Sequence, residues 1–393
     1  MMGSAAFAAA LSEHPDLAEA TAEVLGQVLE RLGSGEGGAG ALAPPDLAML
    51  FVTPPHVGGF ADAARTVREV LKPAVLVGCT AESVVGGSRE VERTPGVSLW
   101  AGRTGPVEPF HLVATSTPDG PMFTGWPAFP ADASAVLVLG DAFSFPADAF
   151  LRRMDLDHPG LPVIGGMAAA GRADGDNRLV LNERVVRHGA VGVVLGPSVR
   201  VATVVSQGCR PIGSPLAVTR AEGNVVYELA GRPALERLGE AAETMPEEER
   251  ELLNSGVHLG RVIDEHKDDF GRGDFLVRNV MGGDPNSGAI AVGDLIEVGA
   301  TTQFQVRDAA SADEDLRQLI AGQSADAALL FTCNGRGMRL FRKPDHDATV
   351  LAENLPGAPV AGMFCAGELG PVGRRNFLHG FTASVLLLSQ PDA

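Results

Sequence analysis

LAMLFVT (47–53) carries no charge and reads as a buried β-strand. A helical stretch follows, Phe60 to Leu71, with Ala64, Val67 and Leu71 on one face. A second apolar strand, Pro73 to Val77, ends in Gly78-Cys79-Thr80-Ala81. After a glycine-rich turn the unit closes with VSLW (97–100). The same order returns twice. AVLVL (135–139) leads to helical Phe145 to Arg153, then to Pro162-Val163-Ile164 ending in Gly165-Gly166-Met167-Ala168, then to GAVGVVL (189–195). The third copy is AALLFT (327–332), Pro359-Val360-Ala361-Gly362 and TASVLLL (382–388). From first strand to turn glycine the spacing is 27 residues (51 to 78), 26 (139 to 165) and 31 (331 to 362). Such agreement in order and spacing marks an internal repeat. The expected fold class is α/β to α+β, with mixed β-sheets flanked by helices and built from three related strand–helix–strand–turn–strand units.

A chain of 393 residues fits two domains of ordinary size, and 45% hydrophobic with 20% charged residues is the composition of a folded, core-forming protein. Lys+Arg of 31 against Asp+Glu of 49 gives a net charge of −18, which speaks against nucleic-acid binding through a basic surface and against a polybasic membrane anchor. Residues 221–315 hold 21 acids and 8 bases, so most of the charge sits there. Its acids have structural uses. Glu247-Glu248-Glu249 after Pro246 suits a helix N-terminus, and Ser311-Ala312-Asp313-Glu314 reads as a capping box. Phe275–Val280, Ala289–Val292 and Thr301–Val306 read as strands between Gly-Asp turns.

Asp16 to Leu32 reads as an amphipathic helix with Leu17, Thr21, Val24, Leu25, Val28 and Leu32 along one stripe. Gly33 to Pro45 follows as a linker. Its GxGxxG match (Gly33, Gly35, Gly38) has a helix before it and Pro-Pro after, the reverse of a dinucleotide loop. Four cysteines, at 79, 209, 333 and 365, are too few and scattered for a disulfide scaffold. Met1 to Leu11 has no positive n-region and no run approaches 18 apolar residues, so a bacterial cytoplasmic protein without membrane insertion is expected.

LVGCTAESVVGGSREVE (76–92), GGMAAAG (165–171) and LVLNERVVRHGAVGVVL (179–195) resemble the FIST N domain. FLVRNVMGGDPNSGAIAVGDLIEVGATTQFQVRDA (275–309), FTCNGRGMRLF (331–341) and PVAGMFCAGELGPVGRRNFLHGFTASVLLL (359–388) resemble the FIST C domain. The resemblance divides the chain into a helix and linker (1–46), a FIST N-like domain (47–232), a FIST C-like domain (233–389) and a tail (390–393). It implies an intracellular sensory, signal-transducing protein that binds a small ligand such as an amino acid or related metabolite. With no output domain in the chain, action through a signalling protein partner is expected.

Hydrolase elbow, Walker loop, HExxH and CxxC motifs are absent, and neither a metal nor a cofactor is expected. Asp174-Gly175-Asp176-Asn177 begins like a calcium loop but lacks the later glycine and glutamate, and reads as a polar turn. Candidate ligand contacts are the glycine turns after buried strands, where exposed amides can cradle an anion. They are Gly78, Cys79, Thr80 and Glu82; Gly165 and Gly166; Asn334 and Arg336 in Cys333-Asn334-Gly335-Arg336-Gly337; and Gly367 and Glu368 with Arg375, Asn376 and His379. Glu368 and Arg375 suit the ammonium and carboxylate of a zwitterion, and Arg336 suits a bidentate anion. The bland alternative for the last group is a buried polar network, and for His379 alone a scaffold role is favoured. Each cysteine suits a small buried hydrophobe. An enzyme built on Cys365, Glu368 and His379, and a scaffold using helix 16–32 and the acidic segment, are the alternative functions.

Overall fold

The computed structural model describes residues 6–33, 43–267 and 269–391; the central part of the linker lies outside them. The chain forms two compact units. One holds the described residues of Met1–Val205, Leu316–Leu378 and Thr382–Ala393; the other holds those of Ser206–Asp315 with His379–Phe381. The described residues of the first two repeats, and the paired strands β22, β23 and β26 of the third, therefore lie in the first unit.

Its first repeat comprises β1 (Phe7–Ser12), α1 (Leu17–Gly33), β2 (Leu47–Val52), α2 (Phe60–Leu71), β3 (Val75–Thr80), β4 (Ser83–Gly86), β5 (Arg89–Glu92) and β6 (Val97–Gly102). The second comprises β7 (Val107–Thr117), β8 (Gly120–Thr124), β9 (Ala135–Asp141), α3 (Ala147–Asp157), β10 (Val163–Ala168), β11 (Leu179–Leu181), β12 (Arg184–Val186) and β13 (Ala190–Leu195). The third opens with β14 (Arg200–Gln207).

The inserted unit follows: β15 (Cys209–Glu222), β16 (Val225–Leu229), β17 (Arg232–Pro233), α4 (Ala234–Glu243), β18 (Val257–Val262), β19 (Phe275–Asp284), β20 (Ala289–Val292) and β21 (Thr301–Arg307). The third repeat resumes with α5 (Ala309–Ile320), β22 (Ala327–Cys333), α6 (Met338–Phe341), α7 (His346–Asn354), β23 (Val360–Cys365), β24 (Glu368–Val372), β25 (Arg375–His379) and β26 (Thr382–Ser389).

Three sheets repeat one plan: β1-β6-β2-β3-β11-β12, β8-β7-β13-β9-β10-β24-β25 and β14-β26-β22-β23-β4-β5. In each, the two strands joined by a helix run parallel, at Leu47↔Val75, Val136↔Val163 and Ala328↔Val360. The hairpin at the far edge comes from another repeat. Hairpin β4–β5 joins β23 at Met363↔Val84, β11–β12 joins β3 at Leu179↔Cys79, and β24–β25 joins β10 at Gly166↔Glu368. Each repeat thus completes its neighbour's sheet, and none of the three sheets is complete within one repeat. Their inner faces share one core, where Phe51 meets Phe331 edge-on at 6.4 Å and Leu137, Ile164 and Met363 are fully buried.

Turns were the expectation at Gly78, Gly165, Gly166 and Gly362, but all four lie inside β3, β10 and β23. Close approach explains three of these glycines. A Cβ would stand 2.2 Å from the Leu50 carbonyl oxygen at Gly78, 1.9 Å from that of Val138 at Gly165 and 1.9 Å from that of Leu330 at Gly362. These are the same position in three repeats. The strands end at Thr80, Ala168 and Cys365, so the turns begin three to four residues after these glycines.

Helices cover the outer faces. α1 buries Ala20, Thr21, Val24, Leu25, Val28 and Leu32 against the first sheet, so the stripe predicted for residues 16–32 is spent on the core and leaves no apolar partner surface. Among the described residues no helix is long and apolar enough to cross a membrane.

In the second unit β15 bonds both β21 and β16, which closes the ladder on itself and leaves few free edges. Its acids act as caps and pairs. Asp284 accepts from the Ser287 hydroxyl at 2.7 Å, and Glu249 and Asp308 hold Arg210 at 2.6 and 3.0 Å. Asp308 also accepts from the Ala310 amide at 3.1 Å and the Ser311 hydroxyl at 2.8 Å. It therefore caps α5, and Ser311, the expected cap, lies inside the helix.

Candidate functional site

Parallel strands present the loops after their C-terminal ends as binding surfaces. In the first unit these loops come from all three repeats and surround one cleft of about 690 Å³. Pro54 and Pro55 follow β2 and Glu82 follows β3. Phe143 follows β9, Ala168 to Arg172 end and follow β10, and Asn334 with Arg339 and Ala366 follow β22 and β23. The strand ends are stitched to one another by backbone bonds. Ala169 donates to Thr80 at 3.2 Å, Ala366 to Met167 at 3.0 Å and Asn334 to Cys365 at 2.9 Å.

Four charges line the cleft. Arg339 holds Glu82 at 2.7 Å and donates to the Asn334 carbonyl at 2.8 Å; Arg93 lies 3.9 Å from the same carboxylate. Arg172 completes the set, so three arginines face one glutamate. Arg93 holds a left-handed φ of 59°, a strained conformation of the kind found at functional sites. Asn334 brings an amide oxygen with no hydrogen-bond partner. The amides of Gly171, Arg172 and Ala173 are already taken by Asn177 and Asp176, so anion recognition here falls to side chains.

The cleft unites only part of the expected set, Glu82 and Asn334. Gly78, Cys79 and Thr80 lie behind it in β3. The Cys79 sulfur is 3.1 Å from that of Met363, and burial drives its pKa up. Thr80 Oγ1 accepts from the Arg178 amide at 3.0 Å, clamping β11. Gly166 makes room for Cys365, whose sulfur would stand 2.3 Å from a Cβ there, and Gly367 accepts from the Met167 amide at 2.8 Å.

Arg336 does hold an anion bidentately, but the anion is Asp347, at 2.7 and 2.8 Å with both side chains fully buried. Burial favours the neutral Asp347 carboxyl, yet the guanidinium outweighs it and holds the pKa below the usual range. Thr332 and His346 complete this knot at 2.7 and 2.9 Å.

The expected zwitterion site is not assembled. Glu368 is fully buried and accepts from the Thr382 hydroxyl at 2.9 Å and amide at 3.2 Å. Burial raises its pKa to about 8, against the pull of those bonds. Asn376 fixes hairpin β24–β25, accepting from the Val163 amide at 2.7 Å and donating to Asp155 at 2.9 Å. Arg375 is exposed over Phe377, and the buried His379 belongs to the second unit. Burial, and then the neighbouring Glu368, push the Cys365 thiol well up, which disfavours a thiolate nucleophile.

Sequence reasoning missed Arg93, Arg172 and Arg339. A signal existed for two of them: Arg172 ends the second repeat's GGMAAAGR (165–172), and Arg339 follows the NGRG turn (334–337). Arg172 stands in the loop equivalent to that of Glu82, after the second parallel strand, and Arg339 in the connection equivalent to that of Pro54 and Pro55, after the first.

The FIST N domain family model matches residues 46–232 and the FIST C domain model residues 234–371. An uncharacterized protein of Mycobacterium tuberculosis strain H37Rv is 43% identical over 383 residues, spanning 96% of this chain and 98% of that protein. An uncharacterized protein of Mycobacterium bovis is 43% identical over 379 residues, spanning 95% and 96%.

Proposed function

The chain belongs to the FIST family, whose domains are sensory domains of signal transduction, and from that premise we propose that it senses a small anionic or zwitterionic metabolite in the cleft between the three repeats. An amino acid or a related metabolite fits this reading. The observation that carries it is the convergence of Glu82, Arg93, Arg172, Asn334 and Arg339 from three repeats on one opening. Arginine forks offer planar, bidentate recognition of a carboxylate, and Glu82 offers a counter-charge for an ammonium. Because the lining loops end strands of all three sheets, a ligand bridging them would tie the repeats together. The output would pass to a signalling partner in the cytoplasm. A net charge of −18 favours no nucleic-acid partner.

The test is thermal unfolding of the full chain against amino acids, dicarboxylates and amines at millimolar concentration. A ligand present at about 100 times its Kd adds about 2.7 kcal/mol to stability. The expected outcome is a rise in Tm of several degrees for one carboxylate-bearing class. Equal melting with every compound would overturn the reading.

A further inference from the structure

The connections that follow the first parallel strand of each repeat bring different chemistry to the cleft. After β22 the connection supplies Asn334 and Arg339, whereas after β2 it supplies Pro54 and Pro55 and after β9 it supplies Phe143. Ala142 and the run Ala168 to Ala170 line the same opening. The lining is therefore of two kinds, a charged set and an apolar set, within one cleft of about 690 Å³.

Phe143 is 47% exposed. A single exposed apolar side chain on a surface needs no explanation, but this one is held out by buried polar groups. Asp141, fully buried at the end of β9, accepts from the Phe143 amide at 3.3 Å and from the Ser144 hydroxyl at 2.6 Å. Ser144 Oγ accepts in turn from the Gly189 amide at 2.9 Å. The second Asp141 oxygen accepts from the side-chain amide of Asn177, also fully buried, at 2.9 Å. The Asn177 oxygen accepts from the Gly171 amide at 2.7 Å. One buried network thus fixes both the loop that carries Phe143 and the loop that carries Arg172, and a satisfied buried network rigidifies what it joins. The two prolines have fixed φ, and Thr53 before them donates to the Thr94 carbonyl at 2.8 Å. An apolar surface held in place in this way costs little further ordering when a ligand covers it.

We propose that Phe143 is a specificity-determining residue of the cleft and that the ligand is a carboxylate carrying an aromatic ring, the aromatic amino acids being its simplest members. The inference rests on the reading of the cleft as a carboxylate site and deepens it. The arginines hold the head group, and the ring covers Phe143 and the prolines. An aromatic ring gains more from a phenylalanine face than the area it buries, because offset and edge-on ring pairs attract. A dicarboxylate or a diamine would instead set a second charge against Phe143, where it loses water and gains no partner.

The test measures the binding of L-phenylalanine, L-alanine and L-glutamate to the full chain by thermal unfolding across a concentration series. The wild type should bind phenylalanine about tenfold or more tightly than alanine, and glutamate no more tightly than alanine. Phe143→Ala trims a half-exposed side chain and leaves the fold intact. It should weaken phenylalanine about three- to tenfold and leave alanine unchanged, while Phe143→Tyr, which keeps the ring, should bind phenylalanine as the wild type does. Alanine or glutamate binding as tightly as phenylalanine would overturn this inference and leave the carboxylate site standing. So would phenylalanine binding that Phe143→Ala does not weaken. Absence of binding by all three compounds would overturn the carboxylate site and this inference together.

Discussion

Arg336 and Arg339 stand three residues apart, one in the turn after β22 and the other in the short helix α6, yet they inhabit opposite settings. Arg336 turns inward to a carboxylate with no solvent around either partner, while Arg339, 42% exposed, reaches Glu82 at the mouth of the cleft. Both are arginine–carboxylate pairs at 2.7 Å. What separates them is desolvation. A buried pair is costly to break because the survivor keeps its charge without water, whereas a half-exposed pair can exchange its partner for water or for a ligand. The knot behind the loop therefore sets the loop's position, and the pair in front remains available for recognition.

The largest effect expected tests the inner member. Arg336→Ala strands Asp347 and should cost about 3–5 kcal/mol in urea unfolding. The double variant Arg336→Met with Asp347→Leu should recover a good part of that loss. An Arg336→Ala chain of unchanged stability would break the comparison, since the buried pair would then not be holding the loop.

Glu368 sharpens the same contrast through pH. Its folded pKa is about 8, above the ordinary 4.5, because burial favours the neutral carboxyl. The folded state thus retains a proton that the unfolded chain releases above about pH 4.5, and the contribution is lost as pH rises toward 8. Glu90 is raised to about 8 as well, first by burial and then by Asp347, and acts with the same sign. Between pH 5 and pH 8 the wild type should lose stability by a few kcal/mol, and Glu368→Gln should lose measurably less. An equal loss of unfolding free energy in the wild type and in Glu368→Gln between the two pH values would place Glu368 in a wetter setting.

The order strand–helix–strand was legible in three places because apolar runs and helical periodicity are local signals. The exchange of hairpins was not. Ser83–Gly86 and Leu179–Leu181 are short, and what makes them strands is an edge supplied by a different repeat. The glycines misled for a related reason. At Gly78 the constraint comes from the carbonyl of Leu50, 28 residues earlier in sequence, and a single chain cannot reveal such an approach. At the site, Glu82 and Asn334 were readable as polar residues after buried strands. Arg336 was misassigned because its partner, Asp347, returns from the start of α7.

The smallest effect on stability is the most informative about function. Arg339→Gln removes the outer pair, which is partly exposed and should be worth less than about 1 kcal/mol to folding. Glutamine can still donate to the Asn334 carbonyl, so the loop retains a local hydrogen bond. A carboxylate ligand loses more, because a charge-assisted bond lost from a cleft costs about 1.5–3 kcal/mol, or roughly ten- to a hundredfold in affinity. For whichever compound raises the Tm of the wild type, the shift should largely vanish in Arg339→Gln while the melting point of the free protein stays near its wild-type value. Glu82→Gln divides the ligand classes further: it should weaken a zwitterion that pairs with the glutamate, and strengthen a plain dicarboxylate by removing its one repelling neighbour. If Arg339→Gln binds as the wild type does, Arg339 serves only to hold its own loop, and recognition would have to rest on Arg93 and Arg172 across the cleft.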